Sequence, residues 1–176
     1  MKSKGFTLYE LLITLAIISI ALAVAIPGFN KQIRQSQTEV ATLALLNAIE
    51  TSRSIAVFQN TRTMLLATDK KWQKGWVLFI DNDSDGLLDN GETIVLEGRE
   101  LKSVSITARA PMDAYVSFIG TGEGKVPGKA KTGAFLAGTI KICPEREGTG
   151  YSLVLSPGGR TRVAKLTTKD CADTRD

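Results

Sequence analysis

The sequence predicts an α+β fold in which one long N-terminal helix, transmembrane in its first half and amphipathic in its second, packs on an antiparallel β-sheet. Three observations carry that class. Residues 6–26 are apolar but for one acid, residues 31–57 contain neither proline nor glycine, and beyond Asn60 the chain divides into short β-favouring runs separated by Gly, Pro, Asn and Asp. A single helix followed by consecutive strands is the order of a helix laid on a sheet, not of alternating βαβ units. The soluble part then reads as one unit.

The first element is set by its length and its charges. As a helix, Phe6 to Ile26 rises about 31 Å, roughly one bilayer core, and its only formal charge is Glu10. Lys2 and Lys4 before it favour a cytoplasmic start, an asymmetry weakened by Lys31 and Arg34 beyond it. A secretory signal peptide shares the basic start, and Ala21-Leu22-Ala23 and Ala23-Val24-Ala25 resemble peptidase sites. The apolar run is longer than such peptides use, however, and an acid at a membrane centre costs about 2.5 to 3.5 kcal/mol with no return in a discarded segment. An acid snorkelling to the headgroups is the other reading of Glu10. Pro27-Gly28 closes the span and predicts a kink or break. After it, Leu43, Leu46, Ile49 and Val57 fall near helical spacing among polar residues, which predicts an amphipathic helix to about residue 57 with one face on a sheet.

Lys4-Gly5-Phe6-Thr7-Leu8, followed by Glu10-Leu11-Leu12, resembles the class III leader of type IV pilins and type II secretion pseudopilins. The resemblance implies a leader over residues 1–5, cut between Gly5 and Phe6 by prepilin peptidase, with methylation of the new N-terminal Phe6. It implies a transmembrane and filament-core helix over 6–27, in which Glu10 docks the subunit to other pilins. It further implies a pilin-like domain over 28–176, periplasmic on a single pass through the bacterial inner membrane, and extracellular once assembled into a pilus. The physics agrees, because an acid held in lipid is stabilised when an assembling neighbour brings an amine or a hydrogen-bond donor to it.

The strand runs are RTMLLAT, GWVLFI, TIVLEG, SVSITA, YVSFIG, LAGTIKIC, YSLVLS and RTRVAKL. Around an acidic turn, GWVLFIDNDSDGLLDNGETIVLEG resembles the paired strands of the GspH and FimT branch of the pilins. Cys143-Pro144, then YSLVLSPGGRTRV, then Cys171 resemble the C-terminal region of FimT-type minor pilins, where a Gly-Arg-x-Arg motif occurs in members that bind DNA during natural transformation. Here that motif is Gly159-Arg160-Thr161-Arg162.

Net charge is only +4, from 22 basic and 18 acidic residues, but residues 157–169 hold Arg160, Arg162, Lys165 and Lys169 and no acid. In a strand Arg160 and Arg162 share one face about 6 to 7 Å apart, after a turn favoured by Pro157-Gly158-Gly159. Lys165 and Lys169 would widen the patch. No aromatic lies between these cations, which favours phosphate contact with double-stranded DNA over stacking on single-stranded bases. The plainer reading is a solvated strand face with incidental charge.

Cys143 and Cys171 form an even count without CxxC spacing, so a structural disulfide is expected if the domain is exported, and two buried thiols otherwise. DNDSDGLLDNGE fits the calcium-loop template, with Asp81, Asp83, Asp85, Gly86, Asp89 and Glu92 at positions 1, 3, 5, 6, 9 and 12. Its flanks read as strands rather than helices, so a hairpin turn rich in Asx residues explains the same letters. With no histidine in the chain, His-based triads and zinc sites are excluded, and neither cysteine has a visible activating base. Gly120-Thr121-Gly122-Glu123-Gly124-Lys125 lacks phosphate-loop spacing and reads as a mobile glycine-rich connection. The expectation is a non-enzyme without a cofactor. It is either a DNA-binding minor pilin serving uptake, or a structural minor pilin or type II secretion pseudopilin that primes or caps assembly.

Overall fold

Helix α1 (Leu8–Gln59) organises the molecule. In this computed structural model, which describes residues 7–128 and 133–173, it is one helix of 52 residues. The expected cleavage and methylation positions, Gly5 and Phe6, lie outside the described residues. The break expected at Pro27 does not occur, because a proline removes only one helical hydrogen bond and about twenty or more helical residues on either side hold the segment in place. α1 ends where Asn60 turns left-handed, at φ 49°, and returns its N–H to Ala56 and Val57.

The apolar half of α1, with a mean hydropathy of 2.5, is long enough to cross a membrane. Its large side chains, among them Leu11, Ile17 and Ile20, face outward. In the second half the buried stripe is Thr38, Ala41, Thr42, Leu45, Ala48, Ile49, Ser52 and Ala56. The expected apolar face is therefore rotated: Ile49 is buried, whereas Leu43 and Val57 are 50% and 49% exposed. Small side chains let the helix lie close to strand backbone, and the threonine hydroxyls are satisfied by the preceding turn, Thr42 donating to the Thr38 carbonyl at 2.7 Å.

Eight strands follow, at the eight runs seen in the sequence. They are β1 (Arg62–Ala67), β2 (Trp76–Asp81), β3 (Thr93–Gly98), β4 (Val104–Ala108), β5 (Tyr115–Phe118), β6 (Gly138–Pro144), β7 (Gly150–Leu155) and β8 (Thr161–Leu166), and a short α2 (Thr168–Ala172) comes last. They build two four-stranded antiparallel sheets, β3-β2-β1-β5 and β4-β6-β7-β8, where the sequence suggested one. Both sheets share one core with α1, in which Leu45 and Ile49 join Leu65, Leu78 and Phe118 of the first sheet and Ile140, Ile142 and Leu153 of the second. Trp72, between β1 and β2, fills this core and donates its indole N–H to the Met112 carbonyl at 2.8 Å.

The 120–125 segment is not a loose connection. A side chain at Gly120 would strike Asn60, one at Gly122 would meet Val57 and Arg53, and one at Gly124 would strike the Leu136 carbonyl. Its glycines allow close packing on the end of α1, and Lys125 is buried with its amine 3.5 Å over the Phe135 ring.

Candidate functional site

The basic motif sits on the β7–β8 hairpin. Leu155 pairs with Thr161, and the Ser156 N–H donates to the Arg160 carbonyl at 3.0 Å, which carries the pairing one step further. Arg160 therefore stays in phase with Arg162 although it precedes β8. The Ser156 hydroxyl clasps the same residue, accepting from the Arg160 N–H at 3.2 Å and donating to its carbonyl at 3.1 Å. Pro157, Gly158 and Gly159 form the turn, with Gly159 at φ 77°, the left-handed position of a three-residue hairpin loop. Both arginines are exposed.

The hairpin is braced from behind. Arg53 of α1 donates from Nε to the Gly122 carbonyl at 3.0 Å, and the Gly122 carbonyl and Arg53 together occupy the space where a side chain at Gly159 would lie. The arginine turn is thus seated on the C-terminal end of α1.

The two lysines do not join this pair. Arg162 stands opposite Val154 and Ala164 opposite Ser152, whereas Val163 and Lys165 stand opposite Leu153 and Tyr151. Since Leu153 belongs to the core, Arg162 is on the outer face of the sheet and Lys165 on the face towards α1. Lys169 lies in α2, at the far end of β8 from the turn. The structure therefore gathers Arg160 and Arg162, and separates Lys165 and Lys169 from them.

Cys143 and Cys171 are joined by a disulfide that ties α2 to β6. α2 is capped by Thr167, and the hydroxyl and backbone N–H of that residue hold the Asp170 carboxyl below its usual range, with Lys141 and Lys169 adding to the effect.

The acidic loop joins β2 to β3 as a strand hairpin, without flanking helices. Asp81, Asp83 and Asp85 bring carboxylate oxygens within 4.8 Å of one another, while Asp89 and Glu92 lie outside that cluster. The acids are engaged by their own loop: Asp81 accepts the N–H groups of Ser84 and Gly86 at 2.7 and 3.1 Å, Asp85 that of Leu87, and Glu92 those of Asn82 and Asp89. The bond from the Leu87 N–H to Asp85 is that of an Asx turn. Asp81 also lies 4.0 Å from Arg62 Nε, so a guanidinium already supplies positive charge at the first position of the loop. Burial pushes the Asp81 carboxyl up to about 6, with Glu92 adding to the rise and the Ser84 N–H and Arg62 opposing it.

Glu10 closes a capping box. Its carboxylate accepts the N–H and the hydroxyl of Thr7, each at 2.9 Å, and its own N–H donates to the Thr7 hydroxyl at 3.2 Å. The acid thus satisfies donors at the start of α1, where unpaired N–H groups are costly in lipid.

The sequence pattern of the GspH family, described as type II transport protein GspH, matches residues 41–159, more than half of the chain. The chain belongs to the GspH family. The prokaryotic N-terminal methylation motif matches residues 1–26, the segment that holds Gly5, Phe6 and Glu10. This GspH-family chain is 29% identical over 133 residues to a fimbrial protein of Pseudomonas aeruginosa, covering 76% of each chain. Its fold is similar to that of the type IV minor pilin FimU of Pseudomonas aeruginosa, with a TM-score of 0.55 at 21% identity over 74% of this chain and 90% of that one. A second crystal form of FimU gives a TM-score of 0.51 at 20% identity, over 74% and 91% of the two chains.

Three positions in the GspH-family chain support the arginine turn without appearing in the motif: Ser156, Gly122 and Arg53. Nothing in the local sequence marks Arg53, which is 69 positions from its Gly122 partner. Gly159→Ala tests the seat, because the new methyl needs both a left-handed backbone and the space held by the Gly122 carbonyl. The expected loss is about 1 to 3 kcal/mol in urea unfolding; an unchanged midpoint would mean that the turn is not seated on Gly122.

Proposed function

We propose that this protein is a minor type IV pilin. Prepilin peptidase cuts it between Gly5 and Phe6, Phe6 is methylated, and the apolar half of α1 holds it in the inner membrane with its C-terminal domain in the periplasm until it joins other pilins in a filament. There it binds double-stranded DNA through Arg160 and Arg162, in the service of DNA uptake during transformation, without catalysing a reaction. Supporting the anchoring and assembly reading are the methylation motif, the outward-facing apolar helix and the Thr7–Glu10 box.

The observation that carries the DNA reading is the hairpin. Its two arginines are exposed and in phase on a turn fixed by the Ser156 clasp and the Gly159 seat. Side chains held about 6 to 7 Å apart on rigid backbone match the spacing of neighbouring phosphates, and contact of that kind positions a duplex without reading its sequence. In a mobility-shift assay on random-sequence duplex, Arg160→Ala/Arg162→Ala in residues 28–176 is expected to weaken binding. The slope of log affinity against log salt should become shallower by about 1.8, for two lost phosphate contacts. Equal retention of DNA by the variant would remove the site.

The family's description as a type II transport protein favours a second reading, a structural minor pilin or pseudopilin that primes or caps assembly. Normal piliation with lost transformation in the arginine variant supports the DNA reading. Lost pili or lost protein secretion supports the structural one.

A further inference from the structure

We infer that the membrane-proximal edge of the domain is a docking surface for the anionic phospholipid headgroups of the bilayer that holds α1. The inference is independent of DNA binding and rests on the apolar half of α1 lying in lipid. From Leu8 to residue 27 the helix rises about 30 Å, which fills the hydrocarbon core, and the headgroup layers add about 5 to 8 Å on each side. Lys31 then stands about 6 Å and Arg34 about 10 Å beyond the core, at or just above headgroup level.

The domain reaches down to the same level. Arg34 and Gln35 are the first described side chains along α1 to be half-buried. They are covered by the turn between β6 and β7, where the Thr149 hydroxyl donates to Gln35 Oε1 at 2.8 Å. A cavity of about 90 Å³ opens there, lined by Lys31, Arg34, Glu147, Thr149 and Thr168 among others. A larger groove shares Gln35, Thr149 and Thr168 with it and adds Lys165, the lysine that the sheet turns away from Arg162. Within this edge Arg34 Nε is buried and finds no hydrogen-bond partner among the described residues.

An arginine with an unused donor, a lysine and the Thr168 hydroxyl form a set suited to a phosphate monoanion, which a planar guanidinium grips at two oxygens. Glu147 is the one opposing charge among these lining residues, against Lys31 and Arg34. Height selects the occupant. Arg53, behind the Arg160 turn, is 19 helical residues above Arg34, about 29 Å further from the bilayer, so a headgroup can reach this edge and not the hairpin.

The test is amide exchange on the full-length protein in nanodiscs. Each cation at an anionic surface gives about a fivefold preference, so with Lys31 and Arg34 both engaged residues 31–35, 145–150 and 165–169 are expected to exchange up to about 25-fold more slowly in phosphatidylglycerol than in phosphatidylcholine. Lys31→Gln/Arg34→Gln should abolish the difference without changing the melting temperature, and Arg160→Ala/Arg162→Ala should leave it intact. Equal exchange in the two lipids would overturn the inference, as would a difference that survives the Lys31/Arg34 change. Protection reproduced in neutral detergent by millimolar glycerol phosphate would also overturn it, since that result describes a free-phosphate site rather than a docked surface.

Discussion

Cys143→Ser with Cys171→Ser is expected to lower the unfolding free energy by about 3 to 4 kcal/mol, the chain-entropy value for a closed loop of this length, and the melting temperature by about 10 °C. The bond does more than shorten the unfolded chain. α2 has five residues, far too few to persist as an isolated helix, and its one buried residue is Cys171 itself. The disulfide also packs over β7: a Cβ at Gly150 would stand 2.6 Å from Cys171 Sγ and 2.9 Å from Cys143 Sγ. The variant should therefore lose order in α2 and at the far end of β8 first, which exchange at residues 166–172 would report. Identical melting of the oxidised protein and the double variant would show that the sheet holds α2 unaided.

Arg62→Met is expected to cost about 3 to 5 kcal/mol at pH 7, the usual result of leaving one buried charge without its partner. Arg62 and Asp81 close the β1–β2 pair, and both are almost fully buried. The guanidinium also donates to the Ser117 hydroxyl at 2.8 Å, so the change releases the neighbouring β5 as well. The pH dependence runs in a definite direction. Asp81 titrates near 6 in the folded protein against 3.8 in a free side chain, so between these values the folded state holds the proton and the unfolded state does not. Stability from this group is complete below 3.8 and is lost as pH rises through 6. The wild type should gain about 1 kcal/mol from Asp81 between pH 7 and pH 5. Without Arg62 the carboxyl rises further and the gain is larger, so acid should partly rescue the variant. Urea unfolding at the two pH values measures this, and a variant no better at pH 5 than at pH 7 would refute the pairing.

The strands were readable because most are short runs of β-branched, leucine and aromatic residues bounded by turn residues, as WVLFID is by Gly75 and Asn82. Their division into two sheets was not, because β1 pairs with β5 and β4 with β6 across long separations that no local pattern records. On α1, counting leucines misled. The face that packs is made largely of Ala, Thr and Ser, whose value is their small size, while Leu43 and Val57 turn outward. Thr7-Leu8-Tyr9-Glu10 spells a capping box, yet attention to the acid alone missed the threonine that holds it. Alternation along a strand did place Arg162 and Lys165 on opposite faces, since they are three positions apart; treating the cations as one patch overlooked it. Arg53 left no local trace, because its role comes from folding.

The unbroken helix through residue 27 also acts as a ruler. Glu10 and Arg53 lie on one rod, separated by about 65 Å of rise, and the arginine turn rests on Arg53. Whatever fixes the height of Glu10 therefore fixes the height of the turn that carries Arg160 and Arg162, and the compass direction in which they point.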